Sequence, residues 1–219
     1  MDERTEARSV PVSQRVEAIV GAGRDVRRDV GALVVETAGR FQAGGEGLVG
    51  LCRSVMKGVA DAFRKSVPED PESTLRQVVD GLGDGLSTAA HATQLAVSEA
   101  KTKGEQFAQT DVEKAAADLQ ALSNAFVGTV EQAATGLKTH LASQSSDLAS
   151  HAKNTLRHMK PSIAAALAAA RQHPVALGKE ALGAGAKATR QTAGLLFAAI
   201  GELLQDAGQR LKGGDESPR

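Results

Sequence analysis

Residues 110–159 read TDVEKAAADLQALSNAFVGTVEQAATGLKTHLASQSSDLASHAKNTLRHM and carry the repeat that decides the fold. Apolar residues recur every eleven positions in two series, which are Ala115, Phe126, Leu137, Leu148, Met159 and Leu119, Val130, Leu141, Ala152. Eleven residues over three turns is about 3.67 per turn, close to a straight helix, so the pattern predicts one long amphipathic helix. A capping box at Thr110 and Glu113 is expected to begin this helix, and Pro161 is expected to end it.

A single helix over residues 110–159 would be roughly 70 Å long, whereas a compact domain of this size is roughly 45 Å across. The molecule is therefore expected to be elongated or kinked, or to form this helix only against a partner or a surface. No period-two strand pattern is present. The sequence predicts an all-α protein of elongated amphipathic helices in a hairpin or bundle arrangement.

Proline and glycine positions indicate how the chain is divided. The first helix is expected to run from Ser13 to about Phe41, where Gly44 and Gly45 interrupt the pattern. The predicted segments are a flexible arm at 1–12, a helical pair at 13–66, a proline linker at 67–72, a helical hairpin with the eleven-residue repeat at 73–160, Ala/Gly-rich basic helices at 161–212 and a disordered tail at 213–219.

Composition limits the possible functions. Aromatic residues make up 2% of the chain, Trp and Tyr are absent, and the formal net charge is +0. Sequence-specific nucleic-acid binding is not expected, because it uses aromatic stacking and a basic groove. The N-terminal residues carry no secretory signal, and no apolar run approaches the roughly 20 residues of a membrane span. We predict a cytoplasmic protein, at most peripheral to a granule or membrane surface.

No residue pattern in the sequence indicates catalysis. Neither a Gly-x-Ser-x-Gly elbow nor a His-Glu-x-x-His motif occurs, so we predict a non-enzymatic protein without a cofactor or metal. The only cysteine, Cys52, is expected to be a small buried apolar residue. Gly81, Gly83 and Gly85 fit a flexible joint inside a helix better than a phosphate-binding loop, because no strand precedes them.

Three histidines, His140, His151 and His158, lie eleven and seven positions apart on one helical face. The corresponding rises of roughly 16 and 10 Å are too large for a shared metal ion. The spacing predicts a solvated polar stripe. The alternative is a pH-sensitive adhesion face, since imidazoles gain charge at mildly acidic pH.

Charge is distributed unevenly along the chain. Residues 61–135 contain 6 Lys/Arg and 12 Asp/Glu, whereas residues 148–195 contain 7 Lys/Arg and a single Glu. Two explanations are open: the two halves pair with each other in an antiparallel hairpin, or the basic half lies on an anionic surface. The basic residues of the second explanation are Lys153, Arg157, Lys160, Arg171, Lys179, Lys187 and Arg190.

The last helix has an apolar face of leucine, isoleucine and alanine, with Gly194, Gly201 and Gly208 seven residues apart on another side. These glycines either allow a second helix to approach closely or simply weaken the helix.

Three runs of the sequence, GAGRDVRRDVGALVVETA, LAVSEAKTKGEQFAQTDVEKAAADLQALSNAFVGTVEQAA and LASQSSDLASHAKNT, resemble a bacterial family of helical proteins classed as a domain of unknown function. The resemblance covers about residues 14–160. It implies a bacterial all-helical protein and transfers no catalytic residue. In composition the chain is also similar to phasins, which coat polyester storage granules.

These observations give two functional hypotheses. The first is an amphipathic coat or adhesion protein on a lipid or polymer-granule surface, and the alternative is a soluble, self-associating helical bundle or scaffold. Both use the same interaction face, formed by Leu119, Phe126, Val130, Leu137, Leu141, Leu148 and Met159.

Overall fold

The computed structural model describes residues 10–40, 47–103, 107, 109–137, 145–172 and 195–213. These residues form seven helices and no strand, so the predicted all-α class is confirmed. The helices are α1 (Val12–Ala22), α2 (Val26–Ala38), α3 (Leu48–Lys65), α4 (Pro71–Lys103), α5 (Gln109–Gly136), α6 (Ser145–Gln172) and α7 (Leu195–Gly213).

The N-terminal region has one helix more than the predicted pair. Gly23 (φ 66°) and Asp25 (φ 51°) adopt the left-handed conformation, which ends α1 and starts α2. The chain reverses there, and Arg15 of α1 consequently forms an ion pair of 2.9 Å with Glu36 of α2. The expected single helix from Ser13 to Phe41 is therefore wrong.

The proline segment precedes the longest of the described helices. Pro71 is the first residue of α4, and the Asp70 Oδ1 atom accepts a hydrogen bond of 2.9 Å from the Ser73 N–H. Proline suits this position because the first helical N–H groups have no partner inside the helix. With 33 residues, α4 is about 50 Å long.

The predicted single helix over residues 110–159 is two helices. Helix α5 begins at Gln109, close to the expected start, but it ends at Gly136, and α6 begins at Ser145 and packs against it. Leu137 lies in the turn that follows Gly136 and is 2% exposed. The eleven-residue repeat continues across this break because both helices bury their apolar residues in the same core.

Pro161 does not end α6, contrary to expectation, but lies within it. Proline removes one backbone hydrogen bond and normally destabilises a helix interior. Here the helix continues because Ile163, Ala166 and Ala170 are buried in line with Met159 and Ala152 on the earlier turns. Their packing offsets the lost hydrogen bond.

The helices form a closed series of contacts around one core. Along this series α2 packs on α4, α4 on α6, α6 on α5, α5 on α3, α3 on α1, and α1 on α2. Helix α7 packs on the outside against α2 and α4 and touches α5. All seven helices contribute to the single apolar cluster, with α5 and α6 supplying buried Leu119, Phe126 and Met159.

Four glycines bring α2, α4 and α6 together, and we call them the glycine junction: Gly31 of α2 and Gly81, Gly83 and Gly85 of α4. A Cβ atom on Gly81 would overlap the carbonyl oxygen of Arg27, and one on Gly83 would overlap the Thr155 methyl group. A Cβ on Gly85 would lie 2.6 Å from Cβ of Val34. The prediction of a flexible joint is wrong, because these glycines allow close helix packing.

Candidate functional site

The basic residues predicted from the sequence lie along one exposed side of α6. Lys153, Arg157, Lys160 and Arg171 are all exposed, and their spacing at about 100° per residue keeps them within about 60° of one another. The first and last of them are separated by about 27 Å along the helix. We call this row the basic face. The remaining predicted basic residues, Lys179, Lys187 and Arg190, lie outside the described residues.

The opposite side of α6 fixes the orientation of the basic face. Leu148, Ala152, Met159, Ile163 and Ala166 are each 0–3% exposed. They are three, four or seven residues apart, which are the spacings of residues on one helical side. Because this side is held in the core, the basic face necessarily points to solvent.

The basic face is not neutralised by the acidic half of the chain within the described structure. Among these residues, none of the four cations lies within 4.0 Å of a carboxylate oxygen, and Arg157 donates a hydrogen bond of 3.0 Å to the neutral Asn154. Carboxylates of the acidic half have other partners, as in the pairing of Asp61 with Lys57 at 2.7 Å. Charge pairing between the two halves, the first of the explanations, therefore does not occupy the basic face.

The inner edge of α6 carries a polar cluster beside the glycine junction. Asp80 Oδ1 lies 2.9 Å from His151 Nε2, although these atoms are not aligned as a hydrogen bond, and Thr155 Oγ1 donates to the same oxygen at 3.4 Å. Arg27 of α2 pairs with Asp84 at 2.8 Å. The cluster borders a cavity of about 250 Å³ and links α2, α4 and α6.

The histidine stripe expected from the sequence is divided in the fold. His151 is half-buried against Asp80, whereas His158 is exposed and borders the same cavity. His140 lies outside the described residues. Within the described ranges no group of three His, Cys, Asp or Glu side chains could hold a metal ion.

The predicted apolar interaction face lies inside the protein. Leu119, Phe126, Val130, Leu137, Leu148 and Met159 are each 0–3% exposed and belong to the common core, while Leu141 lies outside the described residues. In this fold these side chains contact the chain itself, so they present no apolar surface to a separate partner. The surface that α6 does present is basic.

Sequence reasoning missed a groove between α3 and α5. It has a volume of about 410 Å³ and is bordered by Arg53, Lys57 and Asp118, among others. Burial raises the pKa of Asp118 above its ordinary value, with the nearby Lys114 acting in the opposite direction. Asp118 gave no signal in the sequence because its neighbours come from a helix that is distant along the chain.

Cys52 occupies the position expected from its pattern. It is 1% exposed in α3, and burial raises the pKa of its thiol to about 12. The thiol is therefore protonated and unreactive in the folded protein at neutral pH.

The fold and the site define a bundle of amphipathic helices with one basic exposed face and no described helix long and apolar enough to cross a membrane. The chain belongs to the Family of unknown function (DUF6781), whose model matches residues 11–205. This bears out the resemblance to a helical domain of unknown function and extends it beyond residue 160. Comparisons with curated proteins and with solved structures found no match.

Proposed function

We propose that this protein is a non-enzymatic helical protein that attaches to an anionic lipid or polymer-granule surface through the basic face of α6. One observation carries the proposal: Lys153, Arg157, Lys160 and Arg171 lie in a single exposed row without a carboxylate partner among the described residues. A cation near an anionic lipid surface contributes about 1 kcal/mol of attraction. Four such residues in one plane therefore supply up to about 4 kcal/mol.

Attachment through this face differs from the coating mechanism suggested by the sequence. A coat formed by the eleven-residue repeat would require Phe126, Leu148 and Met159 to leave the core, where they are 1–3% exposed. Uncovering a large apolar side chain costs about 1.5–3 kcal/mol. The basic face needs no such rearrangement, because its side chains are exposed in the folded bundle.

Co-sedimentation of the full chain with vesicles tests the proposal. Vesicles of phosphatidylcholine containing phosphatidylglycerol are compared with vesicles of phosphatidylcholine alone, at low and high salt. We expect binding to the anionic vesicles only, weakened by salt. The double variant Lys153→Gln/Lys160→Gln should bind about 30-fold more weakly, because about 2 kcal/mol of attraction is lost.

The matched control is Arg24→Gln/Lys101→Gln, which removes two exposed cations from other parts of the molecule. We expect this variant to bind like the wild-type protein. Equal weakening in both double variants would show a non-specific charge effect, and equal binding to neutral vesicles would show that charge is not the cause. Either result, or no binding at all, overturns the proposal.

A self-associating helical bundle or scaffold is the second candidate function. The burial of the eleven-residue repeat within one chain favours the bundle part of this candidate, because Leu119, Val130 and Leu148 give the chain its own core, and any self-association would have to use other residues. Size-exclusion chromatography with light scattering tests this candidate. A defined oligomer without lipid, together with a cooperative thermal transition, would support it, and a monomer at all concentrations would exclude it.

A further inference from the structure

Helix α7 packs on a surface that contains several small side chains. Its buried residues are Leu196, Ile200 and Leu204, which are 0–7% exposed. The surface that receives them combines the small residues Ala38, Gly39, Ala89, Thr93 and Ala115 with the larger Leu48 and Leu119. The alanine and glycine members of this surface bury little area each, although Leu196, Ile200 and Leu204 belong to the common core cluster.

The interface beneath α7 is also incompletely filled. A cavity of about 40 Å³ lies between α7, which borders it with Phe197, Ile200 and Leu204, and residues of α2, α3, α4 and α5. Atoms that border such a space lack contact partners on one side, which weakens the dispersion attraction.

No ion pair or hydrogen bond between side chains joins α7 to another helix in the described structure. Its Asp206 pairs with Arg210 of the same helix at 2.7 Å, and Glu202 is exposed. A charged contact from another helix is made by Lys114, whose Nζ lies 5.8 Å from the centroid of the Phe197 ring. By contrast, Arg15 joins α1 to α2, and Arg27 joins α2 to α4.

The residues of α7 suit the boundary between water and acyl chains. The apolar face of α7 is formed by Leu196, Ile200 and Leu204, while Leu195, the first residue of the helix, is 47% exposed and lies on the same side as exposed Glu202. An amphipathic helix of this kind can lie in a lipid interface with its apolar face buried. Acidic and basic residues balance within α7, so charge alone would not bring it to an anionic surface.

We propose that α7 leaves the bundle and inserts its apolar face into the acyl layer of an anionic lipid surface to which the basic face of α6 has bound. This inference rests on the proposed function. The two helices have separate roles, because the basic face supplies electrostatic attraction and α7 supplies apolar insertion. Leu196, Ile200 and Leu204 lose their burial in the core when α7 leaves, and the acyl layer covers them again. Stable attachment to membranes generally takes two such signals, since a single weak anchor binds reversibly.

A disulfide that holds α7 in place tests this inference. A Cβ atom on Gly39 would lie 3.2 Å from Cβ of Leu204, slightly below the usual 3.5–4.5 Å of a disulfide, so Gly39→Cys/Leu204→Cys needs only a small shift. The native Cys52 should not interfere, because it is 1% exposed. A second pair, Val35→Cys/Gly208→Cys, holds α7 at another point, where the added Cβ would lie 3.7 Å from Val35 Cγ1.

Each double variant also carries Leu195→Trp, because the chain contains no Trp and this exposed position reports insertion. Oxidised and reduced forms of the same variant are compared, so the oxidised form is matched to its own control. On anionic vesicles we expect the reduced form to show a shift of emission to shorter wavelength. The oxidised form should show no shift and bind about tenfold more weakly, through the basic face alone.

The outcomes separate the two proposals. If oxidised and reduced forms bind equally without an emission shift, and binding still requires Lys153 and Lys160, then α7 insertion is wrong while the proposed function stands. If the wild-type chain does not bind anionic vesicles, the proposed function itself fails. If the reduced form instead makes dimers without lipid and shows no shift, the partner of α7 is a second copy, and the lipid inference is overturned.

Discussion

The glycine junction and the contact between α7 and α2 use the same residue type with different results. In the glycine junction Gly81 and Gly85 let α2 approach from one side, and Gly83 lets α6 approach from another. At α7 one pair, Gly39 and Gly201, makes the close approach, and a Cβ on Gly201 would lie 2.7 Å from the Gly39 carbonyl oxygen. In both contacts the neighbouring atoms leave no room for an added Cβ atom.

The two regions differ in what surrounds the glycines. Polar pairs lie beside the glycine junction, where Asp84 contacts Arg27, and Asp80 contacts His151 and Thr155. The contact of α7 has an apolar cavity beside it and no ion pair to another described helix. Glycine therefore allows two helices to approach closely, but other contacts are needed to hold them in a fixed position.

The largest effect expected from this comparison is at Gly81. The Gly81→Ala variant should lose about 2–3 kcal/mol of unfolding free energy, because its Cβ would overlap backbone that cannot move independently. The control is Gly128→Ala, where nothing lies within 4 Å of an added Cβ and the helix gains up to about 1 kcal/mol. Urea denaturation measures both. Equal stability of the two variants would show that the junction is not tightly packed.

The buried thiol of Cys52 predicts a loss of stability at alkaline pH. Its pKa is raised to about 12 from 9.0 in an unfolded chain, so above pH 9 the unfolded state releases a proton that the folded state retains. The unfolding free energy should fall by up to about 1.4 kcal/mol per pH unit between these values, and the Cys52→Ala variant should lack this component. An identical alkaline slope in both proteins would contradict the burial of the thiol.

Chemical labelling of Cys52 distinguishes the glycine junction from the contact of α7. Reaction with a thiol reagent at neutral pH should be faster in Gly81→Ala, because the bundle opens more often. It should change less when α7 moves, since α3 borders the cavity beneath α7 with Leu48, one turn before Cys52, rather than with Cys52 itself. Faster labelling on addition of anionic vesicles would show that the whole bundle opens on lipid.

A smaller effect is expected at the polar pairs. Asp80 contacts groups on two other helices and its side chain is 28% exposed, so Asp80→Asn should cost about 1 kcal/mol. The corresponding change on α7, Asp206→Asn, removes an exposed pair within one helix and should cost no more than about 0.5 kcal/mol. Thermal unfolding of the two variants compares them directly, and an equal loss would remove the distinction between the regions.

The smallest effect on the unfolding free energy should come from Gly201→Ala. The added Cβ meets one carbonyl oxygen, and α7 has no ion pair to a described neighbour that would prevent it from moving outward. We expect the unfolding free energy to change by less than about 0.5 kcal/mol, whereas amide exchange in α7 becomes faster than in the other helices. Unchanged exchange in α7 would show that the helix is held more firmly than its contacts indicate.

Much of the fold could be predicted from the spacing of apolar residues. The described positions of the eleven-residue repeat are buried as expected, including Ala115, Phe126 and Leu148, because an apolar stripe must face a core. The break between Gly136 and Ser145 could not be predicted, since the repeat continues in phase across it. The role of Gly83 was equally inaccessible, because glycine in a helix fits either a joint or a close contact until its neighbour is known.

For the candidate site, the sequence identified the basic residues but not which other residues lie beside them in the fold. Lys153 and Arg171 were recognised as basic, and the helical repeat places them on one side. Whether acidic residues cover that side depends on which helices pack against α6, and this information is non-local. The same limit explains why the contact of His151 with Asp80 was missed.

The glycine junction has a further consequence for how the helices are aligned. On α4, Gly81 and Gly85 are four residues apart, and so are Asp80 and Asp84. Locally, therefore, two alignments of α2, about 6 Å apart along α4, would offer a glycine and a carboxylate at equivalent points. The junction alone therefore does not distinguish the two alignments, and contacts elsewhere on α2, such as the ion pair of Glu36 with Arg15 of α1, are needed to select one of them.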